Sequence, residues 1–152
     1  MFIAVALVLG IVSGLRTMTS PAVISWAARM GRLAVSETPL AFMGFKYTPI
    51  IFTGLAIGEL INDKLPQTES RKVPPQFIAR IVSGCLVGAT VGAGAGSLTA
   101  GLLAGAVGAV IGTLGGAATR GRLAKAFGTD LPAALLEDVA AIVISIVAVS
   151  KF

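Results

Sequence analysis

Runs of fifteen or more residues without an ionisable side chain recur along this chain, beginning with Met1 to Leu15. Segments of that length and polarity are suited to lipid rather than to water. Composition agrees. Of 152 residues, 55% are apolar, and the 19 glycines lift that share to about two-thirds, against roughly half in an ordinary soluble domain. Only 12% are charged, and the mean hydropathy is +0.91. The expected fold is all-α: a polytopic helical membrane protein with about five transmembrane helices plus short re-entrant or interfacial helices. With no histidine and one cysteine, Cys85, a histidine-based triad, the common zinc ligand sets, a dithiol centre and an internal disulfide are all excluded. No metal, no cofactor and no enzymatic activity is expected.

The first span is Met1 to Leu15, with a signal peptide as its rival; no Lys or Arg precedes its apolar core and no A-x-A site follows it. TMTSPAVISWAARMGRL comes next, with Ser20 as a helix cap and Pro21 in the first turn. It is too short to cross, and Trp26, Arg29 and Arg32 suit an interfacial position, the alternative being re-entrant. Pro39 to Ile61 is the second span, carrying Lys46, Glu59 and a kink-capable Pro49. Residues 62–75 are the polar loop. Phe77 to Ala95 and Leu98 to Ala118 are the third and fourth spans, joined by a tight turn at Gly94, Gly96 and Ser97. A short basic piece, RGRLAKAFGTD, precedes the fifth span, Leu131 to Ser150.

Gly84, Gly88 and Gly92 recur at fours, as do Gly101 and Gly105, and then Gly108, Gly112 and Gly116. This small-xxx-small spacing, a glycine zipper, lets helix backbones approach closely. Spacing alone leaves open whether the partner helix belongs to the same chain or to another copy; a homo-oligomer is expected because 152 residues make a small bundle.

Net charge is +5, but nearly all basic residues flank apolar runs, where they snorkel to headgroups. The expected partner is therefore a lipid bilayer, not nucleic acid. Residues 16–38 and Lys151 contribute four Lys/Arg on one side; residues 62–80 with 119–130 contribute seven on the other. The positive-inside rule then puts the second group and the N-terminus in the cytoplasm of a multi-pass inner-membrane protein, with position 69 on that side.

The order apolar run, arginine, short basic piece, proline, apolar run occurs twice, with Arg16 and Pro39 in one copy and Arg120 and Pro132 in the other. One transmembrane domain, 1–152, thus divides into a first repeat 1–61, the polar loop 62–75, a connecting span 76–97 and a second repeat 98–152. Three crossings separate the copies, so the second would be inverted, as in many transporters; a chance likeness between Gly- and Pro-rich hydrophobic sequences is the rival. Aligning the prolines sets Lys46 opposite Glu137 and Asp138, and ions at such depth call for a partner or a wet cavity unless they lie shallow. Arg16, beside Thr17, Thr19 and Ser20, and Arg120, beside Thr119, are candidates for a small anion or a lipid phosphate, with snorkelling as the alternative. Glu59, Asp63, Lys64, Arg71, Lys72 and Arg80 are charge-balanced enough to fix the loop by salt bridges.

GLRTMTSP near the start, DKLPQTESRKVPPQFIAR in the loop and TRGRLAKAFGTDLPAALLEDVAAI near the end resemble a family of small bacterial integral membrane proteins known only as a domain of unknown function. The resemblance covers nearly the whole chain and implies membrane location, but no activity and no functional residue. From the residues themselves, the expected function is passage of a small solute or ion along Arg16, Lys46, Arg120, Glu137 and Asp138, at a site between inverted repeats. The alternative is a non-catalytic scaffold or assembly subunit packing through its glycine faces.

Overall fold

The computed structural model describes residues 1–66 and 70–152. Residues 67–69, inside the expected polar loop, lie outside the described residues, and with them the sidedness of position 69. Among the described residues there are six α-helices and no strand: α1 (Phe2–Leu15), α2 (Thr19–Arg29), α3 (Thr48–Asn62), α4 (Pro74–Gly94), α5 (Leu98–Phe127) and α6 (Asp130–Val149), with one 3-10 turn at Ala41–Gly44. Prolines at the first turns of α3 and α4 occupy positions where a missing N–H costs no helical bond. Gly128, at φ 75°, ends α5 in the left-handed conformation that a side chain would resist.

The long α5 is the axis of the bundle. α1 runs parallel to it, with Gly10 against Gly105 and Gly14 against Gly112, while α4 runs antiparallel, with Gly84 against Gly105 and Gly88 against Gly101. These approaches are backbone on backbone, as small residues permit. The glycine faces are therefore filled within one chain, and a second copy would have to dock elsewhere.

α2 folds back along α1: the Ser20 hydroxyl donates to the Leu9 carbonyl at 2.9 Å. Eight of its eleven residues are buried, so α2 is a packed element of the bundle, not a helix lying at its surface. Leu33 and Ala34 lie against Gly94, at the turn between α4 and α5. Residues 17–34 thus run from the Arg16 end of the bundle to the opposite end. Consecutive helices alternate in direction, and both chain termini point away from Arg16. Two expectations fail together here: the N-terminus is not at the end that holds 62–80 and 119–130, and Arg16 is. The reason is that α2 is a return passage through the bundle, which makes the number of passages even.

Among the described residues three helices, α4, α5 and α6, are long and apolar enough to cross a membrane. α1 and α3 have 14 and 15 residues, about 21 and 22 Å of helix against a hydrocarbon thickness of ~30 Å. The expected second span, 39–61, is α-helical only from Thr48. Pro39 disfavours helix at Thr38, Pro49 sits in the first turn of α3, where it suits a helix start rather than a helix interior, and hydroxyls take backbone carbonyls between them: Thr38 donates to Val35 O at 2.7 Å, and Thr48 donates to Phe42 O at 2.6 Å. Conversely, the basic piece 119–130 is no separate element. Arg, Leu, Ala and Lys propagate helix well, and α5 continues through Arg120 to Phe127. The element orders of 1–61 and 98–152 therefore differ, since nothing in the second corresponds to α2.

The buried core mixes alanine and valine with a few larger side chains, Val5, Ala6, Leu9, Ile24, Ala27, Met43, Val87 and Val91 among them. Large apolar residues such as Ile51 and Leu55 on α3, Leu103 and Val107 on α5, and Val139 and Val143 on α6 face outward. So much exposed apolar surface departs from a soluble bundle and matches a lipid surround.

Candidate functional site

Helix direction brings the C-terminal ends of α1 and α3, the C-terminal part of α5 and the N-terminal parts of α4 and α6 to one end of the bundle. Arg16 is the hub. It ends α1 in an extended conformation while its N–H still bonds Val12 O at 2.7 Å. Its side chain is 0% exposed. Nε lies 2.6 Å from Asp138 Oδ1, and Nη2 lies 2.8 Å from Asp63 Oδ2 and 3.7 Å from Glu137 Oε2. Burial opposes the charge on Arg16, but Glu137, Asp63 and Asp138 outweigh it and hold the guanidinium above its ordinary pKa.

Arg120, on α5, joins Asp63 Oδ2 at 2.7 Å and grips Asp130 through Nε at 2.9 Å and Nη2 at 2.5 Å. Arg71, in the loop before α4, holds Glu137 bidentately at 2.5 and 3.0 Å. Lys64 is paired with Asp138. Asp63, at the end of α3, would be raised by burial; the charge and hydrogen bond of Arg16, then those of Arg120, reverse this and keep its carboxyl below the usual range.

A second knot lies where α1 turns into α2. Glu59 of α3 accepts the Thr17 N–H at 2.7 Å and the Met18 N–H at 2.8 Å, one on each oxygen. Arg80 of α4 donates through Nη1 to the carbonyls of Gly14 and Leu15, at 2.9 and 2.8 Å, which satisfies the last carbonyls of α1 and sets a cation at its negative end. Arg80 Nη2 stands 3.9 Å from Glu59 Oε1. Ser83 donates to Thr17 O, pinning the corner to α4.

Five cations, Arg16, Lys64, Arg71, Arg80 and Arg120, thus face five carboxylates, Glu59, Asp63, Asp130, Glu137 and Asp138. Beside them opens a cavity of about 790 Å³, lined by Glu59, Asp63, Arg71, Arg80, Arg120 and Asp130 among others. Arg16, Glu137 and Asp138 stand behind its wall as partners of the lining residues.

Of the five residues singled out in the sequence, Arg16, Arg120, Glu137 and Asp138 converge here. Lys46 does not. It precedes α3, at the opposite end of the bundle, is exposed, and lies 5.4 Å from the ring centre of Tyr47. The expected pairing of Lys46 with Glu137 or Asp138 gives way to Arg71, Lys64 and Arg16, because Pro39 to Tyr47 is not the helix on which its depth was reckoned. The loop cluster is also paired differently. Among the described residues Glu59 pairs with Arg80 within it, while Asp63, Lys64 and Arg71 reach across to α1, α5 and α6 and tie the loop to the bundle. Asp130 and the seat of Glu59 on the α1–α2 corner escaped sequence reasoning. The one available signal was that Glu59 and Asp63 stand four residues apart, on one helical face.

Among the described residues no group of three or more His, Cys, Asp or Glu side chains has the arrangement to hold a metal ion. The carboxylates converge on guanidinium and ammonium groups, which occupy the oxygens a cation would need. No curated protein and no solved structure matches the chain. With residues 3–151 matched by the family described as Domain of unknown function (DUF4126), the chain belongs to that family.

Proposed function

We propose that this membrane protein passes a small solute or ion, which enters through the charged cavity at the Arg16 end. The observation that carries the reading is the cavity itself: about 790 Å³ walled by ionised side chains at the end of an otherwise apolar bundle. Ions near hydrocarbon are expensive unless paired or wetted, and this wall supplies both conditions. Arg120 and Asp63 line the entrance; Arg16, Glu137 and Asp138 stand behind the wall, paired to the lining residues.

Orientation follows from the basic residues. Arg16, Lys64, Arg71, Lys72, Arg80, Arg120, Arg122 and Lys125 share the cavity end, against Arg29, Arg32, Lys46 and Lys151 at the other. The positive-inside rule points the cavity toward the cytoplasm of an inner membrane and both termini away from it.

A second reading has its own support: every one of the five carboxylates has a cationic partner, which suits a non-transporting scaffold whose charges lock the helices in register. Vesicles of phosphatidylethanolamine and phosphatidylglycerol containing the purified protein separate the two. Stopped-flow swelling in potassium chloride, sodium nitrate, glycerol and urea should exceed that of empty vesicles for at least one solute and fall when Asp63 is replaced by Asn. Swelling indistinguishable from empty vesicles in all four, with a foreign subunit co-purifying stoichiometrically, would favour the scaffold.

A further inference from the structure

We infer that the amino end of α2 is an anion-binding site occupied here by the protein's own Glu59 carboxylate, and that a small monovalent anion replaces it when Glu59 swings into the cavity. The inference rests on the passage reading above and names its substrate class.

Two consecutive backbone N–H groups, of Thr17 and Met18, point at the two oxygens of Glu59 at 2.7 and 2.8 Å. They stand at the start of an eleven-residue helix, whose positive end favours negative charge. The corner is also under-satisfied. Arg80, 6% exposed, faces the carboxylate with Nη2 but has no partner on Nε, and the Thr19 hydroxyl, in the first turn of α2 and 4% exposed, has none either. Buried donors left without acceptors are costly, and Arg80, whose Nη2 already faces the carboxylate, can donate to an anion seated at this corner.

Charge sets the valence. At the corner Glu59 is the ion-pair partner of Arg80, so withdrawing it into the cavity leaves one guanidinium uncompensated there. One monovalent anion restores neutrality, whereas a dianion would overshoot. Glu59 has somewhere to go, because it lines the 790 Å³ cavity. A tethered carboxylate competes with free anions at an effective concentration of roughly millimolar or above, so the wild-type site is self-blocked and the exchange couples anion entry to the movement of one side chain.

The test is anion binding by the full-length protein in detergent. Thermal unfolding is followed in sodium chloride, nitrate or formate against sodium gluconate at constant ionic strength. Wild type should show little dependence on the anion. Glu59→Ala should be stabilised saturably by chloride and formate, with affinity raised about tenfold or more once the tethered competitor is gone, and adding Arg80→Gln should abolish the gain. Indifference of Glu59→Ala to the anion overturns the proposal, as does an equal gain in the Arg80→Gln double variant. Should Glu59→Ala not fold in any of these salts, Glu59→Gln serves, with ³⁵Cl line broadening as the readout: broadening above wild type supports the site and equality overturns it. Anion binding in vesicles that pass no solute would sustain the site while removing the passage reading. Passage of glycerol or urea by a protein whose variants ignore anions would remove the site and leave passage standing.

Discussion

At Gly105 the backbone of α5 comes so close to α4 that an added Cβ would stand 2.1 Å from the Gly84 carbonyl oxygen; about four turns further along the same helix, Arg120 reaches across open space to two carboxylates on other elements. The first region is specified by the absence of side chains and tolerates no added atom. The second is specified by long side chains whose charges must cancel, and it tolerates rearrangement but not subtraction. One helix thus carries both devices: steric fit in the membrane-like middle, electrostatic matching where the bundle opens to a cavity. Space is the scarce quantity in one region and neutrality in the other.

The largest effect is expected at the charged end. Arg16→Ala strands Asp63 and Asp138 without their buried partner and should cost about 3–5 kcal/mol, read as a collapse of thermal stability in detergent; adding Asp138→Asn should recover part of it. A loss no greater than that of an exposed substitution would break the contrast. In the seam, Gly105→Ala should cost about 1–3 kcal/mol through overpacking.

A finer test is the pairing itself. Arg71→Ala and Glu137→Ala should be coupled by about 0.5–3 kcal/mol in a double-mutant cycle, whereas Lys46→Ala and Glu137→Ala should add independently, because Lys46 lies at the other end.

pH sharpens the comparison further. Asp63 is held below its unfolded pKa of about 3.9, so its contribution to stability is complete above that value and is lost as pH falls below it, through the lower folded value. Between pH 6 and 3, thermal stability should fall less steeply in Asp63→Asn than in wild type, while Gly105→Ala should leave the slope unchanged. Equal slopes in Asp63→Asn and wild type would detach Asp63 from the network. Smallest of all is Gly115→Ala, whose new methyl meets nothing within 4 Å; it should be neutral or stabilise by up to about 1 kcal/mol through helix propensity. A loss there as large as at Gly105 would mean that the seam does not depend on close approach.

Much of this was visible in the residues. The glycine spacing announced tight helix contacts, and the apolar runs from 77 to 95 and from 131 to 150 correspond to helices of nearly the same extent. Arg16 and Arg120 stood out because each directly follows a long uncharged stretch. What misled was continuity. Residues 39–61 read as one span because hydropathy is blind to the prolines and hydroxyls that hold 39–47 out of α-helix, and the segment carrying α2 reads as interfacial because Trp26, Arg29 and Arg32 outweigh its run of small residues. Once α2 is a packed return passage, Arg16 moves to the opposite end of the bundle, and its natural partners become Asp63 and Asp138 rather than headgroups.

Sequence alone determined the solvent, the helical class and the closeness of the helices, because hydropathy and residue size act locally and survive in one dimension. Which charges meet was decided only in three dimensions. Arg16 and Asp138 are 122 positions apart, and no local rule selects one carboxylate from among seven acidic residues; the selection was made by the direction of α2 and by glycine seams that set the depth at which each helix end comes to rest.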